Sequence, residues 1–239
     1  MNSLDLSRAD AELGVLLLVA TATFLAYHYL GPARGRRDAA FVLRRRVLGG
    51  ALLGAVPLAV AVLALGLTPR QVGVAVPAPG ASLGVAFGLW VLLLPLLALS
   101  TRASPRGEGS GDQRTAPPYP EILAPRWSWR LRLESAGAWA LYLAGYELFF
   151  RGVLLFVLAE RIGAWPAIFV TTALYAFAHL PKDAGECAGS IGFGVALGAM
   201  TLWSGSVLPA GLLHVLIAVS AETLAIRTQP RPAPCRSRP

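Results

Sequence analysis

A chain of 239 residues with 55% hydrophobic and only 14% charged residues, at a mean hydropathy of +0.59, is too apolar for an ordinary soluble domain of that size. Its net charge of +8 does not point to nucleic acid, because the basic residues sit in short segments flanking apolar runs, without an interleaved aromatic surface. Two cysteines, Cys187 and Cys235, supply neither a disulfide framework nor the Cys-x-x-Cys spacing of a metal site.

Apolar runs between charges predict spans over 11–30, 47–67, 81–100, 133–158, 164–180, 187–203 and 206–226. Roughly 20 apolar residues cross a bilayer core, so the fold class is all-α, a polytopic membrane bundle of about seven transmembrane helices. The first run is too long for a signal peptide and is preceded by Asp5 and Asp10 beside Arg8, so it reads as a retained helix. His28, near its end, reads as a hydrogen-bonded packing residue. After it come Arg34, Arg36, Arg37, Arg44, Arg45 and Arg46, and after the third span Arg102, Arg106, Arg114, Arg126, Arg130 and Arg132. An excess of arginine marks cytoplasmic loops, and Lys182 with Arg227, Arg231, Arg236 and Arg238 falls on the same side if the amino terminus is outside. Segment 101–132, rich in Pro, Gly, Ser and Arg, reads as a loop. An eight-span version makes 127–139 a separate interfacial helix, as its Trp and Arg content suits a membrane surface. Gly194 and Gly198, with Gly192, Ala196 and Ala199, read as small residues that let helices approach. The tail 227–239 reads as disordered. The expected organisation is three accessory helices and a cytoplasmic loop over 1–132, core helices over 133–226, and that basic tail.

Chemistry concentrates in the second half. The fourth span contains Tyr146-Glu147-Leu148-Phe149-Phe150-Arg151-Gly152, and a central arginine costs about 2.5–3.5 kcal/mol to insert. Glu147, one turn earlier on the same face, is its natural partner. His179 ends the fifth span in Tyr175-Ala176-Phe177-Ala178-His179-Leu180-Pro181, and His214 lies at the start of the seventh after Gly205-Ser206-Val207-Leu208-Pro209. Carboxylate and imidazole together can activate a water, directly or through a metal. Glu186 reads as a loop charge or a second base. Glu222, two turns after His214, reads as a cavity residue or as a helix-end charge near Arg227.

These residues, over about 135–226, resemble the CPBP family of intramembrane proteases, which includes CAAX prenyl endopeptidases and bacteriocin-processing or self-immunity proteins. The family pattern is Glu-Glu-x-x-x-Arg, then Phe-x-x-x-His, then His-x-x-x-Asn. The resemblance implies catalytic roles for Glu147, Arg151, His179 and His214, a membrane-associated peptide or protein substrate of CAAX-like or bacteriocin-like type, and the lipid bilayer as partner. It also implies an integral protein of a bacterial cytoplasmic membrane, with no nucleic acid involved. Family members have been interpreted both as metalloenzymes and as glutamate-based hydrolases, so a divalent metal such as zinc stays open as cofactor.

Three positions depart from the pattern. Tyr146 stands for the first Glu, Tyr175 for the Phe, and Ala218 for the Asn. A phenol is a poor base at neutral pH, and loss of one oxyanion donor typically costs about 10²–10³ in rate. Two readings follow: an intramembrane endopeptidase, or a catalytically impaired relative that binds, confers immunity or scaffolds. A proton relay or transporter is a third class, as intramembrane acids and histidines also mark ion pathways.

Overall fold

The computed structural model describes residues 7–29, 38–103, 121–124, 126–180 and 184–228. Lys182, Cys235, the tail from 229, most of the 101–132 loop and Arg34, Arg36 and Arg37 lie outside the described residues. No strand occurs among the described residues, and the helices are α1 (Arg8–Tyr29), α2 (Ala39–Ala64), α3 (Pro79–Ala103), α4 (Trp129–Ile162), α5 (Ala164–Ala178), α6 (Ala184–Ser204) and α7 (Leu208–Thr228). Each matches one expected span, and all except α5 are long and apolar enough to cross a membrane. The chain is an integral membrane helix bundle.

Two boundaries move for identifiable reasons. Helix α2 starts well before residue 47 because the Asp38 side chain caps it, accepting from the Phe41 amide at 3.1 Å, and arginine is a good helix former. Arg44, Arg45 and Arg46 are therefore helical, and Arg46, counted above with the loop charges, is buried at 4% exposure. Helix α4 starts at a Ser128 cap that accepts from the Leu131 amide and runs unbroken to Ile162. Residues 127–139 thus form no separate interfacial helix, and the eight-span version is set aside. At 15 residues, α5 is about 22 Å long, short of a hydrocarbon core of about 30 Å. Its end, capped by His179, has no length with which to leave the membrane if its start lies at the surface.

Helix α4 is the centre of the bundle, 72% buried over its apolar window. Against it packs α2, through glycines the sequence reading did not single out. A Cβ on Gly54 would lie 2.7 Å from Gly145 Cα, and one on Gly145 would collide with the Gly50 backbone, so only glycine permits these two backbones to touch. Gly194 and Gly198 of α6 instead make room for α5 side chains: added Cβ atoms would meet those of Thr172 at 2.9 Å and Ile168 at 3.3 Å. Gly192 faces open space. Helix α7 packs on α3 and on α4, the latter through Trp139, Leu143 and Ala218.

Other expectations are corrected. His28 is exposed at the end of α1, edge-on to the Tyr29 ring at 5.1 Å, and so is no buried packing residue. Glu222 is neither a loose helix-end charge nor part of the Glu147 site: at 4% exposure it pairs with Arg46 at 3.1 Å, since a buried carboxylate requires a cation. Glu186 is half-buried in the first turn of α6.

Candidate active site

Helix α4 widens into a π-helical stretch over Leu148–Leu154. Such wide turns recur at functional sites, where they re-aim side chains. Glu147 immediately precedes it and Arg151 lies within it, at 0% and 1% exposure. Arg151 Nη1 lies 3.2 Å from Glu147 Oε2 and donates to Oε1 at 3.4 Å. The pairing inferred from spacing is present.

From α7, His214 brings Nδ1 to 2.5 Å from Glu147 Oε1. A carboxylate oxygen only accepts, so in neutral His214 the proton sits on Nδ1 and Nε2 is the basic nitrogen. His179 Nδ1 lies 2.9 Å from the Tyr175 carbonyl oxygen, and the same reasoning makes Nε2 its basic nitrogen. The two imidazoles border one aromatic ring: the Tyr175 centroid is 4.5 Å from that of His179 and 6.2 Å from that of His214. The Arg151 guanidinium carbon lies 4.2 Å from the same centroid. Tyr175, present at the Phe position of the family pattern, is thus the platform on which three of the four expected site residues meet. Its role was not legible in sequence, where Tyr for Phe reads as a mild change.

All four expected site residues come together through these contacts, but not around a common metal-ligand set. Among the described residues no group of three or more His, Cys, Asp and Glu side chains is placed to hold an ion. The Glu147 carboxylate is engaged by Arg151 and His214, and as packed here it forms no three-ligand set with the two histidines. Two polar atoms of the site remain without a hydrogen bond despite full burial, Glu147 Oε2 and Arg151 Nη2. One accepts and the other donates.

The departures are also placed. Tyr146, 5% exposed, is held among the rings of Tyr142, Phe150, Tyr175 and His214 at 4.7–6.2 Å. Ala218, 6% exposed, sits against Trp139 and Leu143 in the seam between α4 and α7. Phe193 of α6 faces His214, with ring centroids 5.4 Å apart. It also lines an apolar cavity of about 260 Å³ with Leu93, Leu96, Leu97 and Ile217.

Residues 129–220 match the family model described as type II CAAX prenyl endopeptidase Rce1-like. No curated protein and no solved structure matches the chain. The family match begins at the first residue of α4 and ends within α7, so it covers the carboxylate, the guanidinium and both histidines; over that stretch the chain is similar to these membrane proteases.

Proposed function

We propose that this protein is an intramembrane endopeptidase that hydrolyses a peptide bond of a membrane-delivered substrate, with Glu147, Arg151, His179 and His214 as its working residues. The observation that supports this most is the buried Glu147 carboxylate, held at once by Arg151 at 3.2 Å and His214 at 2.5 Å. A carboxylate so engaged is placed to orient: it fixes the His214 tautomer and stabilises the imidazolium that forms when Nε2 takes a proton. His214 Nε2, with His179 Nε2 across the Tyr175 ring, is then the base that draws a proton from the attacking water. Arg151 Nη2, buried and otherwise unused, is the donor available to the oxyanion, a task the Ala218 position cannot perform. The cavity beyond Phe193 takes an apolar portion of the substrate. Its CAAX-like or bacteriocin-like character is part of the proposal.

The test is cleavage of a peptide library by the full chain in proteoliposomes. Wild type should cleave at least one member, with loss of about 10²-fold or more on His214→Ala or Glu147→Gln.

A specific observation favours a second reading. Tyr146 fills the position of the family's first Glu with a ring packed on four others, so the site lacks that base outright and offers an aromatic wall instead. In this reading the protein is a non-catalytic relative that binds, scaffolds or confers immunity. An inert wild type that gains cleavage on Tyr146→Glu would decide for it.

A further inference from the structure

A second buried polar cluster lies on the seam that carries the site. Ser135 of α4, 0% exposed, donates to Glu222 Oε2 of α7 at 2.6 Å. Arg46 of α2 donates from Nη1 to Ser135 Oγ at 2.8 Å and from Nη2 to Glu222 Oε1 at 3.1 Å. Nη2 is also 3.1 Å from Glu121 Oε2, and the guanidinium carbon sits 3.8 Å from the Trp139 ring centroid. Arg46 and Glu222 both fall outside the residues that match the family.

Ser135 meets Glu222, and twelve residues further along α4 Glu147 meets His214, eight residues earlier in α7, so α4 and α7 run antiparallel with a polar contact at each end of their shared seam. Between the contacts the seam is apolar, with Trp139 and Leu143 against Val215, Ala218 and Val219. Apolar packing is non-directional, and in lipid it gains nothing from the hydrophobic effect. Hydrogen bonds are directional, so the two polar contacts set the rotation of α7 about its axis. Turning α7 by one residue, about 100°, would carry Glu222 away from Ser135 and His214 away from Glu147 together. A carboxylate buried between helices calls for a cation beside it, and Arg46 stands beside Glu222 at 3.1 Å.

We propose that Arg46 is a positioning residue for the candidate active site: by pairing with Glu222 and Ser135 it locks the rotation of α7 on α4 and so holds His214 Nδ1 against Glu147. This makes α2 part of the working unit. The inference rests on the Glu147–His214 contact being the working pair, and its test is read without turnover.

The experiment is NMR of the full chain in lipid bilayers with ¹⁵N-labelled histidine, following the proton of His214 Nδ1, which a short bond to a carboxylate moves to low field. His214→Gln assigns the signal, and Glu147→Gln should abolish it. If Glu147→Gln leaves it in place, the pair itself is absent and the inference falls with it. Given the pair, Arg46→Gln and Ser135→Ala should each shift or erase the His214 signal while that of His179 stays fixed. Ser135→Ala, the smaller change, decides alone if Arg46→Gln does not fold. Leu16→Ala, which opens a cavity in the α1 cluster with Ala61, Val72, Val153 and Val157, should lower the melting temperature and leave the His214 signal unmoved. Variants of the Arg46 cluster that melt lower but keep the wild-type signal would overturn the proposal, as would an equal shift from Leu16→Ala.

Discussion

Glu147 and Arg151 are 0% and 1% exposed and within 3.2 Å of each other, so neither has water to fall back on if its partner is removed. Breaking a buried pair typically costs about 3–5 kcal/mol, whereas replacing both members costs less. Arg151→Ala is therefore expected to lower the melting temperature of the detergent-solubilised protein more than Glu147→Gln combined with Arg151→Leu. Equal melting of the two variants would mean that the pair carries no energy of its own. Ala218 calls for a different expectation. It is packed against Trp139 and Leu143, so restoring the family's residue by Ala218→Asn should overfill the seam, with a loss of about 1–3 kcal/mol. Thermal unfolding checks this, and an unchanged or raised midpoint would show that the seam has room for the side chain.

The element that decides the arrangement is α4, and its closest neighbour is α2. Gly50, Gly54 and Gly145 bring the two backbones into contact, which places Arg46 on the α4–α7 seam and gives α2 more than a peripheral part. Gly145→Ala puts a methyl where the Gly50 backbone already stands, and backbone cannot yield as a flexible side chain does. The expected loss is at least the roughly 1–3 kcal/mol typical of overpacking. Gly192→Ala, whose Cβ meets nothing within 4 Å, is the matched control and should be neutral or slightly stabilising. Comparable melting of the two variants would count against the α2–α4 contact described here.

For the whole molecule, helix length and the placement of arginines bear on which way the bundle faces. Helix α4, at 34 residues, is about 50 Å long and exceeds the core thickness, so its Arg130 and Arg132 end projects from the bilayer or tilts within it. The arginine distribution predicts that this end and the carboxyl terminus share the cytoplasmic side, with the amino terminus outside. Arg46 no longer belongs in that tally, since it is buried, but Arg44 and Arg45 remain beside it. A membrane-impermeant thiol reagent should reach neither Cys235 nor a cysteine introduced as Ser110→Cys in intact cells. Labelling of one position alone would contradict the arrangement.

The seven helices seen among the described residues and their order were legible in the linear chain, as were the four polar residues proposed for the site. Apolar length is a local property that a bilayer of fixed thickness selects, and an ionisable group inside an apolar run stands out because its burial is costly wherever it points. What the chain could not disclose was partnership across helices. Nothing near Arg46 in sequence separates it from Arg44 and Arg45, nor does anything near Glu222 separate a loose helix-end charge from a buried ion. Their pairing required α2 and α7 to meet on α4, a consequence of glycine contacts and helix crossing. Likewise Tyr175 reads locally as a conservative variant of Phe, and only the approach of three helices makes its ring the platform for His179, His214 and Arg151. Side-chain type follows from the chain alone, but the company a side chain keeps follows from packing between segments far apart in it.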